Sequence, residues 1–105
     1  MSFLSAIFGS SAGGATRVSG TQARSLVGDG AQLIDVRTPA EFKAGHVSGA
    51  TNIPLSLLPV RMNELDRERP VVVYCRSGGR SASAGGILTK AGFGGVHDLG
   101  PMSAW

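Results

Sequence analysis

Apolar residues along this chain fall into short, nearly unbroken runs, and between the runs they recur at helical spacing. Two runs are the clearest. Ala31-Gln32-Leu33-Ile34-Asp35-Val36-Arg37 and Val71-Val72-Val73-Tyr74 are almost continuously apolar, the pattern of strands buried on both faces. Shorter extended segments are expected at residues 17–19, 50–53 and 96–99. Pro54 ends the middle one, because proline has no N–H for a ladder and pushes the preceding residue to extended geometry.

Helices are expected between these segments. Residues 21–27 read as one, capped by Ser19 or Thr21 and closed by Gly28. Thr38-Pro39-Ala40-Glu41 is a capping box with proline at the first helical position, and Gly45 stops that helix early. Residues 55–65 place Leu57, Leu58, Met62 and Leu65 on one side, with regular helix beginning at or near Pro59. Residues 81–91 turn Ala84, Ile87, Leu88 and Ala91 inward. The pair Gly85-Gly86 weakens this last helix by about 1–2 kcal/mol relative to alanine, a cost explained if its backbone packs close against a sheet. About five strands alternate with short helices. That order predicts an α/β fold, a mostly parallel sheet with helices on both faces. Ligands of such sheets bind beyond the carboxyl ends of the strands.

The chain has 105 residues, enough for one domain. Residues 1–16 read as a flexible apolar and Gly/Ser-rich arm, and residues 17–105 as the domain. The arm's apolar stretch is far short of the roughly 20 residues of a membrane span. No basic residue precedes Arg17, so a secretory leader is not expected and the location is expected to be cytoplasmic. The net charge of +3 suits a small anionic substrate. The basic residues are scattered without interleaved aromatics, so no nucleic-acid partner is expected. One cysteine excludes an intrachain disulfide, and no His/Asp/Glu constellation suggests a metal or a cofactor.

That cysteine, Cys75, ends the Val71-Val72-Val73-Tyr74 run at the carboxyl end of the expected central strand. It is followed by Arg76-Ser77-Gly78-Gly79-Arg80-Ser81, a short loop leading into a helix. Four features favour a thiolate. The helix start points its positive end at the loop. Gly78 and Gly79 let successive amides turn inward as an anion nest. Arg76 and Arg80 add positive charge, and Ser77 and Ser81 add hydroxyl donors. The same cradle would hold an anionic group brought to the thiol, through the paired donors that arginine has and lysine lacks. Asp35 and Arg37 read as structural. Arg37 is expected to pair with an acid such as Glu41, and Asp35 to satisfy loop amides; an accessory contact of Arg37 to the mouth of the site stays open. His46 and His97 read as packing residues, and Phe42, Phe93 and Trp105 as core or lid residues.

Cys75-Arg76-Ser77-Gly78-Gly79-Arg80-Ser81 after its apolar strand resembles the active-site loop of the rhodanese family. Further marks fall in the family's order: Leu33-Ile34-Asp35-Val36-Arg37, Glu41-Phe42, Gly45-His46-Val47, Gly49-Ala50, Asn52-Ile53-Pro54, Ala91-Gly92-Phe93 and Trp105. The resemblance implies a rhodanese-like fold and a sulfurtransferase. Cys75 would take a sulfane sulfur from thiosulfate or a similar donor, carry it as a persulfide and pass it to cyanide, a thiol or a sulfur-acceptor protein. Arg76, Ser77, Gly78, Gly79, Arg80 and Ser81 would bind the substrate. A persulfide carrier is the alternative. A phosphatase or arsenate reductase on the same fold ranks lower, because those use Cys-x5-Arg and this loop is Cys-x4-Arg. One departure is Gly100-Pro101, where the family often has a second glycine; the proline is expected to change the turn and touch no proposed catalytic group.

Overall fold

The computed structural model of the chain describes residues 14–105. The arm expected at residues 1–16 lies outside the described residues up to residue 13. Beyond it the elements follow the sequence pattern closely. Strand β1 is Thr16–Arg17, and helix α1 is Gly20–Gly28. Of the two candidate caps for α1, the chain uses Ser19. Its hydroxyl accepts the Gln22 N–H at 3.1 Å, while the Gln22 side chain accepts the Ser19 N–H at 2.8 Å. Strand β2 is Gln32–Asp35, and helix α2 is Pro39–Ala44. The capping box of α2 forms as expected, with Glu41 N–H donating to Thr38 Oγ1 at 3.2 Å and Thr38 N–H donating to Glu41 Oε1 at 3.0 Å. Strand β3 is Thr51–Asn52.

The helix expected at residues 55–65 does not form as one piece. It is a 3-10 turn at Leu55–Leu57, a single α-turn, α3, at Leu58–Arg61, and a second 3-10 turn at Met62–Glu64. Pro59 has no N–H to carry an α-helical ladder back to Leu55, so the chain tightens on either side of it. Strand β4 is Val71–Cys75, and helix α4 is Gly79–Lys90, starting two residues before the expected Ser81. Strand β5 is Val96–Pro101, so Pro101 extends the strand instead of reshaping a turn.

The strands form one sheet in the order β1-β5-β4-β2-β3, with every pair parallel. β4 is central, and all five of its residues are buried. Side chains alternate across a strand. Val71, Val73 and Cys75 therefore enter one core with Leu58 of α3 and Ala84 and Leu88 of α4. Val72 and Tyr74 enter the other core with Ala23 of α1 and Leu99 of β5. Phe93 is buried in the first core, and Trp105 packs on the second. Gly85 has a different explanation from the one expected. A methyl group there would lie 2.7 Å from Ala15 Cβ, so the segment leading into β1, not the sheet, approaches α4.

One irregularity sits beside the end of β4. Val73 faces Asp98, but Tyr74 faces Gly100, so β5 carries Leu99 as an extra residue in a bulge. Bulges are rare in parallel pairs. Cys75 consequently stands opposite Pro101.

Candidate active site

Cys75 is the last residue of β4, and the chain turns at once into α4. Gly78 precedes α4 with a φ of 109°, a left-handed conformation that favours glycine. No side chain caps this helix. The sulfur instead takes the N–H of Gly78 itself, which donates to Cys75 Sγ at 2.9 Å. Ser81, fully buried in the first turn, donates its hydroxyl to Gly78 O at 3.1 Å and also lies within reach of the sulfur.

Cys75 has no exposed surface. In hydrocarbon alone such a thiol would be inert. Here burial pushes the thiol up, but the Ser81 hydroxyl and the N–H groups of Ser81, Gly78 and Ser77 outweigh it, and the group ends below its ordinary range. Of the residues read as a cradle, Ser77, Gly78 and Ser81 bring their donors to the sulfur.

The arginines take separate places. Arg76 is exposed on the loop. Arg80 reaches back to α2, where Nη1 and Nη2 donate to Glu41 Oε1 at 2.7 Å and Oε2 at 3.0 Å. That guanidinium, with the Thr38 amide, holds the Glu41 carboxyl well below the usual carboxylate range. Arg80 in turn stays close enough to Cys75 for the sulfur's negative charge to favour its own positive one. Glu41 therefore caps α2 and fixes an arginine of the loop 39 residues away.

Arg37 was expected to pair with an acid such as Glu41. It pairs with Asp35 instead, Nε donating to both carboxylate oxygens at 3.1 Å and Nη2 to Oδ2 at 2.7 Å. The two side chains emerge on the same side of an extended backbone, two residues apart, so the local partner wins. Asp35 also accepts the Arg37 N–H at 2.9 Å, a loop amide as expected, and Arg37 Nη2 donates to Gly45 O. Arg37 nonetheless lines, with Arg80, a cavity of about 260 Å³ walled by Val36, Pro54, Leu55 and Ser56. Tyr74, on the opposite face from Cys75, accepts the Val47 N–H at 3.1 Å, and burial pushes its phenol up to about 12.

The histidines stand apart from the sulfur. His46 stacks on Phe42 with ring centroids 3.6 Å apart, and its Nδ1 contacts Phe42 O at 2.8 Å. His97 is half-buried on β5, and burial pushes its pKa down. Among the described residues, no group of three or more His, Cys, Asp or Glu could hold a metal ion. Nor, among them, is any helix long and apolar enough to cross a membrane.

Pro101 corrects the sequence reading. A methyl group on Gly78 would lie 4.0 Å from Pro101 Cδ and 4.0 Å from Gly100 Cα, so both residues pack beside the loop. Two contacts near the loop escaped the sequence: the Arg80 partnership of Glu41, and Asp98, whose Oδ1 accepts the Gly100 N–H at 2.8 Å. The Asp-x-Gly spacing of the second was a readable local signal for a side chain bonding the backbone two residues on.

Comparison with known proteins agrees with this geometry. The family model of the rhodanese-like domain matches residues 19–105. A sulfurtransferase of Allochromatium vinosum is 46% identical over 74 residues, covering 70% of this chain and 69% of the relative. Bacillus subtilis YqhL is 47% identical over 76 residues, covering 71% of this chain but only 60% of YqhL, so the chain spans less than two thirds of that relative. Thiosulfate sulfurtransferase GlpE of Pseudomonas aeruginosa is 36% identical over 90 residues, covering 85% of this chain and 82% of the relative. A solved structure described as a rhodanese with anions from E. coli is 36% identical with a TM-score of 0.67, covering 70% of this chain and 89% of that one.

Proposed function

This chain belongs to the rhodanese-like domain family of sulfurtransferases, and from that membership we propose that residues 17–105 move sulfane sulfur from thiosulfate or a similar donor to a thiophilic acceptor through a persulfide on Cys75. The observation that carries the reading is the 2.9 Å hydrogen bond from Gly78 N–H to Cys75 Sγ, one of several donors converging on a single sulfur. In the first half-reaction the Cys75 thiolate attacks the outer sulfur of thiosulfate. A sulfur–sulfur bond forms to Cys75, the donor's own sulfur–sulfur bond breaks, and sulfite leaves with the electron pair. In the second, cyanide or a thiolate attacks the outer persulfide sulfur and returns Cys75 as thiolate. Protein oxidation state is unchanged over the cycle.

The chain's residues divide this work. The amides of Ser77, Gly78 and Ser81, and the Ser81 hydroxyl, stabilise the anion on Cys75 before and after sulfur arrives. Gly79 has open space where a side chain would stand, which leaves the loop clear on that side. Arg76, exposed at the rim, draws the anionic donor in. Arg80 keeps Glu41 on two donors and offers its remaining N–H groups toward the donor's oxyanion. The GlpE relative is named for thiosulfate, which supports that donor. The loop closes onto the sulfur itself, which favours transfer of one atom over capture of a tetrahedral phosphate.

Mass spectrometry tests this directly. Incubation with thiosulfate should add one sulfur atom to the intact chain. Cyanide should remove it as thiocyanate, and Cys75→Ser should never gain it. A chain that gains sulfur from a protein persulfide but not from thiosulfate would identify a carrier; one that gains none from either, yet hydrolyses an aryl phosphate, would overturn the proposal.

A further inference from the structure

We propose that Asp98 is a positioning residue for the Cys75 thiolate: its carboxylate holds the β5 bulge that sets Pro101 opposite Cys75 and Gly100 and Pro101 beside Gly78. The inference rests on the reading of Cys75 as a thiolate and adds to it a residue from a different strand.

The path is short. Asp98 is buried, and its Oδ1 takes the Gly100 N–H at 2.8 Å. That bond closes a turn across Leu99, the residue β5 carries in excess of β4. Gly100 adopts a φ of 84°, which lets the strand regain its register one residue later. The outcome is that Gly100 meets Tyr74 and Pro101 meets Cys75. Without the bulge, Leu99 would meet Tyr74 and Gly100 would meet Cys75. Gly100 Cα and Pro101 Cδ are the atoms nearest to the space beside Gly78, whose N–H is the 2.9 Å donor to the sulfur. Moving β5 by one residue would replace this wall and release the loop amide from its aim. A buried carboxylate is costly to keep unless its lone pairs are used. Asp98 uses one on the amide that defines the bulge.

The sign of the effect separates positioning from simple electrostatics. The charged group that senses Cys75 is Arg80, itself paired with Glu41, and the exposed Arg76 follows Cys75 in the chain. Opposite Asp98 in the sheet stands Arg17 on the neighbouring strand, while His97, next in the chain, points to the other face. Removing a negative charge near a thiol favours the thiolate. Loss of Asp98 acting through charge alone would therefore lower the pH at which Cys75 becomes reactive. Loss of the bulge would raise it, because the amide donor is lost.

The test is the pH profile of iodoacetamide alkylation, followed by intact mass. Cys75 is the only cysteine, so the signal has one source. The parent chain should show a midpoint below that of a free thiol. Asp98→Ala should move the midpoint up, slowing alkylation at lower pH by about tenfold for each unit of displacement. Asp98→Asn keeps an acceptor for the Gly100 N–H and loses only the charge, so its midpoint should stand at or below the parent's. If Asp98→Ala does not fold, Gly100→Ala, which strains the same bulge, is read in its place with the same expectation. A midpoint unmoved or lowered in the folded variant overturns the role of Asp98. A parent midpoint at the free-thiol value overturns the thiolate reading itself, and the two failures are distinguishable.

Discussion

Ser81→Ala is the sharpest probe of the sulfur cradle. The Ser81 hydroxyl has one proton and two acceptors within reach, Gly78 O at 3.1 Å and Cys75 Sγ. While Cys75 is a thiol, the carbonyl is the better acceptor. Once it ionises, the sulfur is, and the hydroxyl turns to it. The gain is the difference between a bond to a charged group, about 1.5–3 kcal/mol, and one between neutral groups, about 0.5–1.5 kcal/mol. That difference is about 1–1.5 kcal/mol, or about one pH unit of thiol titration. Ser81→Ala should therefore raise the midpoint of Cys75 alkylation by about one unit while the Ser81 and Gly78 amides keep it from returning fully to the free-thiol value. Ser81→Thr, which keeps the hydroxyl, should recover most of the shift. Circular dichroism establishes that each variant is folded, and intact mass gives the alkylation rate across pH. A midpoint that stays in place or falls in Ser81→Ala would show that the hydroxyl serves Gly78 O in both states, and the account of a switching donor would be wrong.

Three further outcomes are expected. Arg80→Ala should raise the KM for thiosulfate by about tenfold, a partly exposed charge-assisted bond discounted for water, and Arg80→Lys should recover only part because it cannot keep Glu41 on two donors; steady-state kinetics decides this. Arg37→Leu should destabilise the fold by about 3–5 kcal/mol, because it strands a fully buried Asp35 carboxylate, and urea unfolding of the variant would show it. Stability should also depend on pH through Cys75. Its folded value lies below that of the free thiol, so its contribution is complete above about pH 8.5 and fades as pH falls through the folded value. The unfolding free energy of the parent chain over Cys75→Ser should accordingly widen as pH rises toward about 8.5, and a constant gap would contradict the thiolate.

What the sequence made legible was what short spacing controls. The β4 run, the Thr38 capping box with Pro39, and the Gly78 turn are decided by neighbours within four residues, and each forms where the pattern placed it. The Cys75 cradle was readable for the same reason, since its donors lie within six residues of the sulfur. Partnerships across the fold were not readable. Glu41 was expected to pair with Arg37, and only the fold, which brings Arg80 within reach 39 residues on, decides otherwise. The broken segment around α3 was half visible in Pro59, but propensity suggested a longer helix than one proline allows. The Gly85 contact with Ala15 depends on where the first described residues cross α4, which no periodicity encodes. Pro101 was misjudged because a proline after glycine reads as a turn, whereas the bulge lets it finish a strand.

Just ahead of α4 the sulfur of Cys75 takes the N–H of Gly78, the residue that begins the helix and has no side chain to cap it. The reactive atom is thus also a fastener. Each sulfur accepted would move the anionic end one bond outward, so the twelve-residue helix exchanges one tether for another as the reaction proceeds. A reagent that alkylates this atom takes away the acceptor of the Gly78 N–H, so a thiol poison should lower stability in the same event that silences the molecule.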